Sequence, residues 1–202
     1  MSRQFLGVSA LEIAHIERAA DRKARGALVF FHGFYGAPED PDAIWSTAGE
    51  GESLWFLGTL ATIRVDGESV GDRYSLIEFV FPKGASPPTH THPQDESYIV
   101  LEGALTIQAG DNRFALVPGG VAAVPMGVPH TFRVETEGAH VLVLSTPAGL
   151  ERMVRDASVP AAAPRLPPEG TPRPTPEELE QVFRRHGQVN LGPPLAPSAD
   201  SD

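Results

Sequence analysis

No cysteine occurs among the 202 residues. Disulfides, thiolate metal ligation and cysteine nucleophiles are therefore excluded, and the composition fits a cytoplasmic protein. Basic side chains are in short supply: 16 Lys and Arg stand against 26 Asp and Glu, a net charge of -10. That balance argues against nucleic acid and anionic membrane surfaces as partners. Long apolar runs are missing too. The longest near the N-terminus, Ala27 to Phe31, is far too short to span a bilayer. No basic start followed by an apolar stretch and a cleavage site marks a secretory leader. Hydrophobic residues still make up 41% of the chain, enough for a core, and the length suits one domain with extensions.

Glycine and proline are abundant, 20 of each, and their uneven spread divides the chain. Residues 9 to 25 read as a helix, with Ser9 and Glu12 as a capping box and Leu11, Ala14, Ile16 and Ala19 as a patchy apolar face. Residues 27 to 31 read as a strand able to pair at a sheet or dimer edge, and 33 to 51 as loop. The run Leu28 to Gly33 resembles the strand and oxyanion turn of α/β-hydrolases. No serine stands in the Gly-x-Ser-x-Gly elbow such an enzyme needs; Gly51-Glu52-Ser53-Leu54-Trp55 lacks the second glycine.

From residue 53 to 145 short β-rich segments recur: Leu54–Val65, Tyr74–Phe81, Glu96–Leu101, Ala104–Gln108, Arg113–Val117, Val121–Val124, His130–Val134 and His140–Ser145. Turn residues such as Asp66-Gly67 and Pro118-Gly119-Gly120 separate them. Many short strands between turn signals indicate an all-β sandwich or barrel. Thr146-Pro147 reads as the cap and first turn of a short helix with Leu150, Met153 and Val154 on one side. Val159 to Pro174 reads as an extended Pro- and Ala-rich linker. Thr175 and Glu178 form a capping box for a helix that ends at Gly187, and the last dozen residues read as disordered. The expected organisation is an N-terminal extension over 1–47, a barrel over 48–158, and a linker, helix and tail over 159–202.

The chemistry concentrates in His90-Thr91-His92, Glu96 and His130. Residues two apart on a strand share a face, so His90 and His92 can aim at one point. Glu96 follows the irregular Pro93-Gln94-Asp95, and His130 arrives from another strand. Three nitrogens and one oxygen suit a first-row divalent metal (iron, manganese, nickel, cobalt or zinc) better than calcium or magnesium. One or two coordination positions remain for water, dioxygen or a chelating substrate. Glu96 can be ligand, base or both in turn. Counting by two from these residues places Tyr98 and Val100 beside Glu96, and Phe132 and Val134 beside His130, with Ile77 and Phe79 facing in. An apolar, aromatic substrate pocket with a metal at one end is the expectation. His140 is not expected to be a ligand, and His15, His32 and His186 read as surface residues.

The spacing is itself a signature. Gly84 is followed by five residues, His90-x-His92, three residues, Glu96, six residues and Gly103. A second block has Gly119, five residues and Pro125-x-Gly127-x-x-His130. Together these resemble the two motifs of the cupin superfamily, with Val134 where an Asn often stands. The resemblance implies an all-β double-stranded β-helix, a jelly-roll barrel with short flanking helices, and a bound metal. Trp55-Phe56-Leu57-Gly58, Tyr74-Ser75-Leu76-Ile77-Glu78-Phe79, Pro87-Pro88 and Leu191-Gly192-Pro193-Pro194 extend the likeness to the single-cupin quercetin dioxygenases of actinobacteria, over roughly residues 48 to 195. Those enzymes cleave the heterocyclic ring of a flavonol with dioxygen and release carbon monoxide. Their glutamate, matched by Glu96, assists deprotonation of the flavonol hydroxyl. They often have four residues between the second histidine and the glutamate, where this chain has three. A dioxygenase on a flavonol-like or other enolisable aromatic substrate is thus expected. Two alternatives remain: a metal-dependent isomerase or cyclase on a polyketide-like substrate without dioxygen, and a non-catalytic small-molecule-binding cupin. Exposed jelly-roll edges lead to the expectation of a homodimer.

Overall fold

The computed structural model describes residues 44–47 and 49–197. The helix expected over 9–25, the strand over 27–31, His15, His32 and the extreme C-terminus lie outside the described residues. Among the described residues, twelve strands form two antiparallel sheets. The strands are β1 (Glu52–Phe56), β2 (Thr59–Val65), β3 (Ser75–Pro82), β4 (Pro88–Thr91), β5 (Asp95–Glu102), β6 (Leu105–Ala109), β7 (Asn112–Leu116), β8 (Val121–Val124), β9 (His130–Val134), β10 (Gly138–Thr146), β11 (Ser158–Pro160) and β12 (Val189–Pro194). The seven-stranded sheet runs β11-β1-β2-β3-β10-β5-β8, and the five-stranded sheet runs β12-β4-β9-β6-β7. Two such sheets are the all-β architecture that the repeated short strands predict, and they form the jelly roll that the cupin resemblance implies.

Strict alternation builds the core. Along β3, Ser75, Ile77, Phe79 and Phe81 are buried, while Leu76, Glu78, Val80 and Pro82 are half-buried on the other face. Phe79 stacks on Phe81 at 5.1 Å, and Phe81 meets Phe132 edge-on at 5.0 Å, joining the two sheets through rings. Gly103 turns the chain from β5 of one sheet towards β6 of the other with φ of +78°, and a Cβ there would lie 2.2 Å from the Gly138 carbonyl oxygen. Only glycine fits both the backbone and the space.

Five expectations need correction. Leu54–Val65 is two strands, broken by Leu57-Gly58, both at positive φ. Thr146 ends β10, held opposite Asp95, and does not cap a helix. The helix is α1 (Leu150–Asp156), which starts at Gly149, whose N–H donates to the fully buried Glu151 carboxylate at 2.8 Å. The last residues are not all disordered: β12 pairs with β4, Val189 opposite Thr91 and Asn190 opposite His90. The extended segment after 158 begins with β11, which pairs with β1. The capping box at Thr175 and Glu178 is present and opens α2 (Pro176–Arg185). Val182 and Phe183 of α2 pack on Met153 and Ala157 beside α1. His186 is not a free surface residue; its Nε2 meets Asp156 Oδ2 at 2.9 Å and ties α2 to α1.

Candidate metal centre

Each functional side chain is placed by a local device. His90 lies on β4 directly opposite His130 on β9. His92 follows β4 by one residue and shares its parity, and Glu96 opens β5 on the opposite sheet. The second motif is a tight turn. Val128 N–H donates to the Pro125 carbonyl at 3.2 Å, with Gly127 at φ of +73° in the third place. Gly127 N–H donates to the His92 carbonyl at 3.1 Å, and Met126 N–H donates to Asp95 Oδ1 at 2.8 Å. These bonds lock the two motifs together, which explains their fixed internal spacing.

The result is a trio of buried imidazoles, His90, His92 and His130, with ligand atoms all within 4.8 Å of one another. His90 Nδ1 lies 2.8 Å from the Pro88 carbonyl oxygen, and His130 Nδ1 lies 2.8 Å from that of Val128. A carbonyl can only accept, so each Nδ1 carries a proton, and in the neutral ring each Nε2 keeps its lone pair. Glu96, also buried, stands against two members of the trio: its Oε2 is 3.4 Å from His92 Nε2 and 3.3 Å from His130 Nε2. Tyr98 donates its hydroxyl to the same oxygen. Both ring nitrogens of His92 and Nε2 of His130 are buried without a hydrogen-bond partner. Such partnerless buried nitrogens call for a ligand, and a divalent cation fits their lone pairs.

Electrostatics agree with that fit. Burial, reinforced by the His130 charge, pulls His90 down to about 4, so its imidazole is neutral at physiological pH. Burial opposes ionisation of Glu96, yet its contacts to His130 and His92 outweigh this and hold the carboxyl below its usual range. For His130, burial disfavours the charge, but Glu96 outweighs it and raises the pKa. Burial and the Glu96 charge push the Tyr98 phenol well above 10, so it stays a donor.

A cavity of about 740 Å³ opens from His90, His92 and Glu96. Of the expected pocket residues, Phe79, Tyr98 and Phe132 line it. Ile77, Val100 and Val134 do not; they are at most 1% exposed and fill the barrel core away from the cavity. Residues of equal parity share a face, but only those near the open end reach the space. The wall that sequence reasoning missed comes from Phe56, Leu57 and the C-terminal segment: Leu150, Met153, Arg173, Leu179, Phe183, Gln188 and Asn190. The capping box predicted α2, but nothing in its spacing says where it docks. His140 lies outside the site and pairs with Glu78 at 2.6 Å.

Residues 77–146 match the cupin domain family. A quercetin 2,3-dioxygenase from Bacillus subtilis is 33% identical over 90 residues, 44% of this chain and 27% of that protein. An uncharacterised protein of Streptomyces coelicolor is 33% identical over 69 residues, 34% of this chain and 66% of its own length. The chain thus spans about a quarter of the first relative and just under two thirds of the second. Among solved structures, an RmlC-like cupin from Shewanella frigidimarina aligns with a TM-score of 0.45 at 20% identity, covering 55% of this chain and 99% of that one. Among the described residues no helix is long and apolar enough to cross a membrane.

Proposed function

We propose that this chain, a member of the cupin superfamily, is a metal-dependent dioxygenase that opens the ring of a flavonol-like or other enolisable aromatic substrate. One observation carries the reading: three buried imidazoles and a buried carboxylate cluster together, and His90, His92 and Glu96 of that cluster line an aromatic-walled cavity of about 740 Å³. That volume lies within the range of sites for drug-sized ligands. The identity shared with the Bacillus subtilis quercetin 2,3-dioxygenase supports the choice of reaction.

His90, His92, His130 and Glu96 would hold the ion. A divalent first-row metal bound there would supply Lewis acidity for an enolate-type oxyanion and the redox chemistry a dioxygenase needs. Glu96 accepts the proton of the substrate hydroxyl, a role supported by its ionised state and its place in the cavity lining. Tyr98 holds the carboxylate in position through its hydroxyl. Phe79, Phe81 and Phe132 flank the planar ring and exclude water. Overall, both atoms of dioxygen enter the ring-opened product and one ring carbon leaves as carbon monoxide.

The test is elemental analysis of the purified protein with oxygen uptake against a panel of flavonols. Oxygen consumption with carbon monoxide release supports the reading. Product formed without oxygen selects an isomerase or cyclase instead, and saturable binding without turnover selects a binding protein. The proposal includes a homodimer. The edge strands β7 and β8 and the turn between them leave Phe114, Val117 and Val121 exposed. Light scattering that reports a monomer at micromolar concentration refutes that part.

A further inference from the structure

We infer that Arg173 is an anion-reading residue of the cavity, and that the substrate is an aromatic molecule with an acidic substituent away from its metal-binding oxygen. The inference rests on reading the cavity as the substrate site.

The cavity wall is mostly apolar, and its charged side chains besides the histidines are Lys83, Glu96, Arg173 and Glu180. Three of these have charge partners. Lys83 Nζ meets Glu137 at 2.8 Å, Glu180 meets Arg184 at 3.3 Å, and Glu96 belongs to the metal centre. Arg173 has no ion-pair partner among the described residues. An exposed cation in the lining of a mostly apolar cavity, without an ion-pair partner among the described residues and in a chain of net charge -10, is a local positive spot that attracts anions.

Its seat is also shaped for it. A Cβ on Gly58 would lie 2.8 Å from a guanidinium nitrogen of Arg173, so the missing side chain makes room for the group. Gly58 holds φ of +94°, a conformation that other residues rarely adopt. The turn between β1 and β2 thus supplies a gap that the guanidinium occupies. The planar fork offers several N–H donors in a geometry suited to carboxylate, sulfonate or phenolate oxygens. Glu96 and Arg173 line the same cavity, so one receives a hydroxyl proton and the other a fixed negative charge.

The test uses two fluorescent probes with one aromatic skeleton: 8-anilinonaphthalene-1-sulfonate, which is anionic, and N-phenyl-1-naphthylamine, which is neutral. Each is titrated into the full-length parent, Arg173→Gln and Arg173→Lys. The parent is expected to hold the sulfonate about fivefold tighter than the neutral probe at low ionic strength, a preference that fades as salt is added. R173Q should abolish the preference while leaving the neutral affinity unchanged, and R173K should restore part of it. No preference in the parent, or an equal change for both probes in R173Q, overturns the inference. Neither probe is a flavonol and the assay needs no dioxygen. Failure of flavonol turnover is therefore a separate result, which bears on the proposed reaction alone.

Discussion

At the scale of single residues, Glu96 is the one acidic member of the cluster, and its Oε2 contacts His92, His130 and Tyr98. Glu96→Gln keeps the size and one oxygen donor but cannot accept a proton at neutral pH. Turnover should fall about 10²–10⁴-fold with metal still bound. Parent-like turnover by the metal-loaded variant would leave Glu96 no role as base. His130→Ala removes an imidazole whose Nε2 has no hydrogen-bond partner and whose ring lies 4.4 Å from that of His90. Metal content should drop to a small fraction of the parent while circular dichroism still reports a folded barrel. Full metal content would exclude His130 as a ligand. These residues were legible in the sequence because each is placed by a short local device: alternation for His90 and His92, and the Pro125–Val128 turn for His130. Arg173 and Phe183 were not, because long-range docking brings them to the cavity.

At the scale of elements, α2 is held in two ways. Phe183 packs with Met153, Ala157 and Val182, and it also lines the cavity. Phe183→Ala should cost about 3 kcal/mol, the low end for a buried ring because the cluster is small. It should also raise KM more than it lowers kcat, as read from steady-state kinetics on an identified substrate. The second tie is Asp156, whose Oδ2 accepts from His186 Nε2 at 2.9 Å and Arg185 at 3.0 Å. The His186 bond, helped by Arg185, holds the Asp156 pKa below its usual 3.8. A carboxyl depressed on folding stabilises above its unfolded pKa, and that contribution is lost as pH falls through the lower folded value. The protection of α2 amides against hydrogen exchange, relative to the intrinsic rate at each pH, should therefore fall below about pH 4. Asp156→Asn should show weaker protection at neutral pH and lack that acid-dependent component. A variant that keeps the parent's acid profile would show that the tether does not matter. Strands such as β3 and β9 were legible because they alternate cleanly. β12 was not: Gly192, Pro193 and Pro194 carry no strand pattern, and its partner β4 lies about a hundred residues earlier. Pairing at a sheet edge overrides that local composition.

At the scale of the whole molecule, the candidate centre spans the two sheets. His90 and His130 sit on adjacent strands of the five-stranded sheet, and Glu96 on β5 of the seven-stranded one. A metal held by all of them would cross-link the sheets at the open end of the barrel. Without it, buried His92 and His130 nitrogens remain without hydrogen-bond partners, at a cost in stability. Metal that binds only the folded chain adds stability by mass action, about 2.7 kcal/mol at a hundredfold excess over Kd. A chain of this size converts each kcal/mol into about 2–4 °C of Tm. A chelator should therefore lower Tm by about 5–10 °C, and added divalent metal should restore it. The same titration on His130→Ala is the control. Once a donor is gone, chelated and metal-supplemented samples should melt together, below or near the chelated parent. A parent Tm indifferent to chelator, in a sample shown by elemental analysis to lose its metal, would mean that the ion does not brace the sheets and that the barrel is closed by its aromatic core alone.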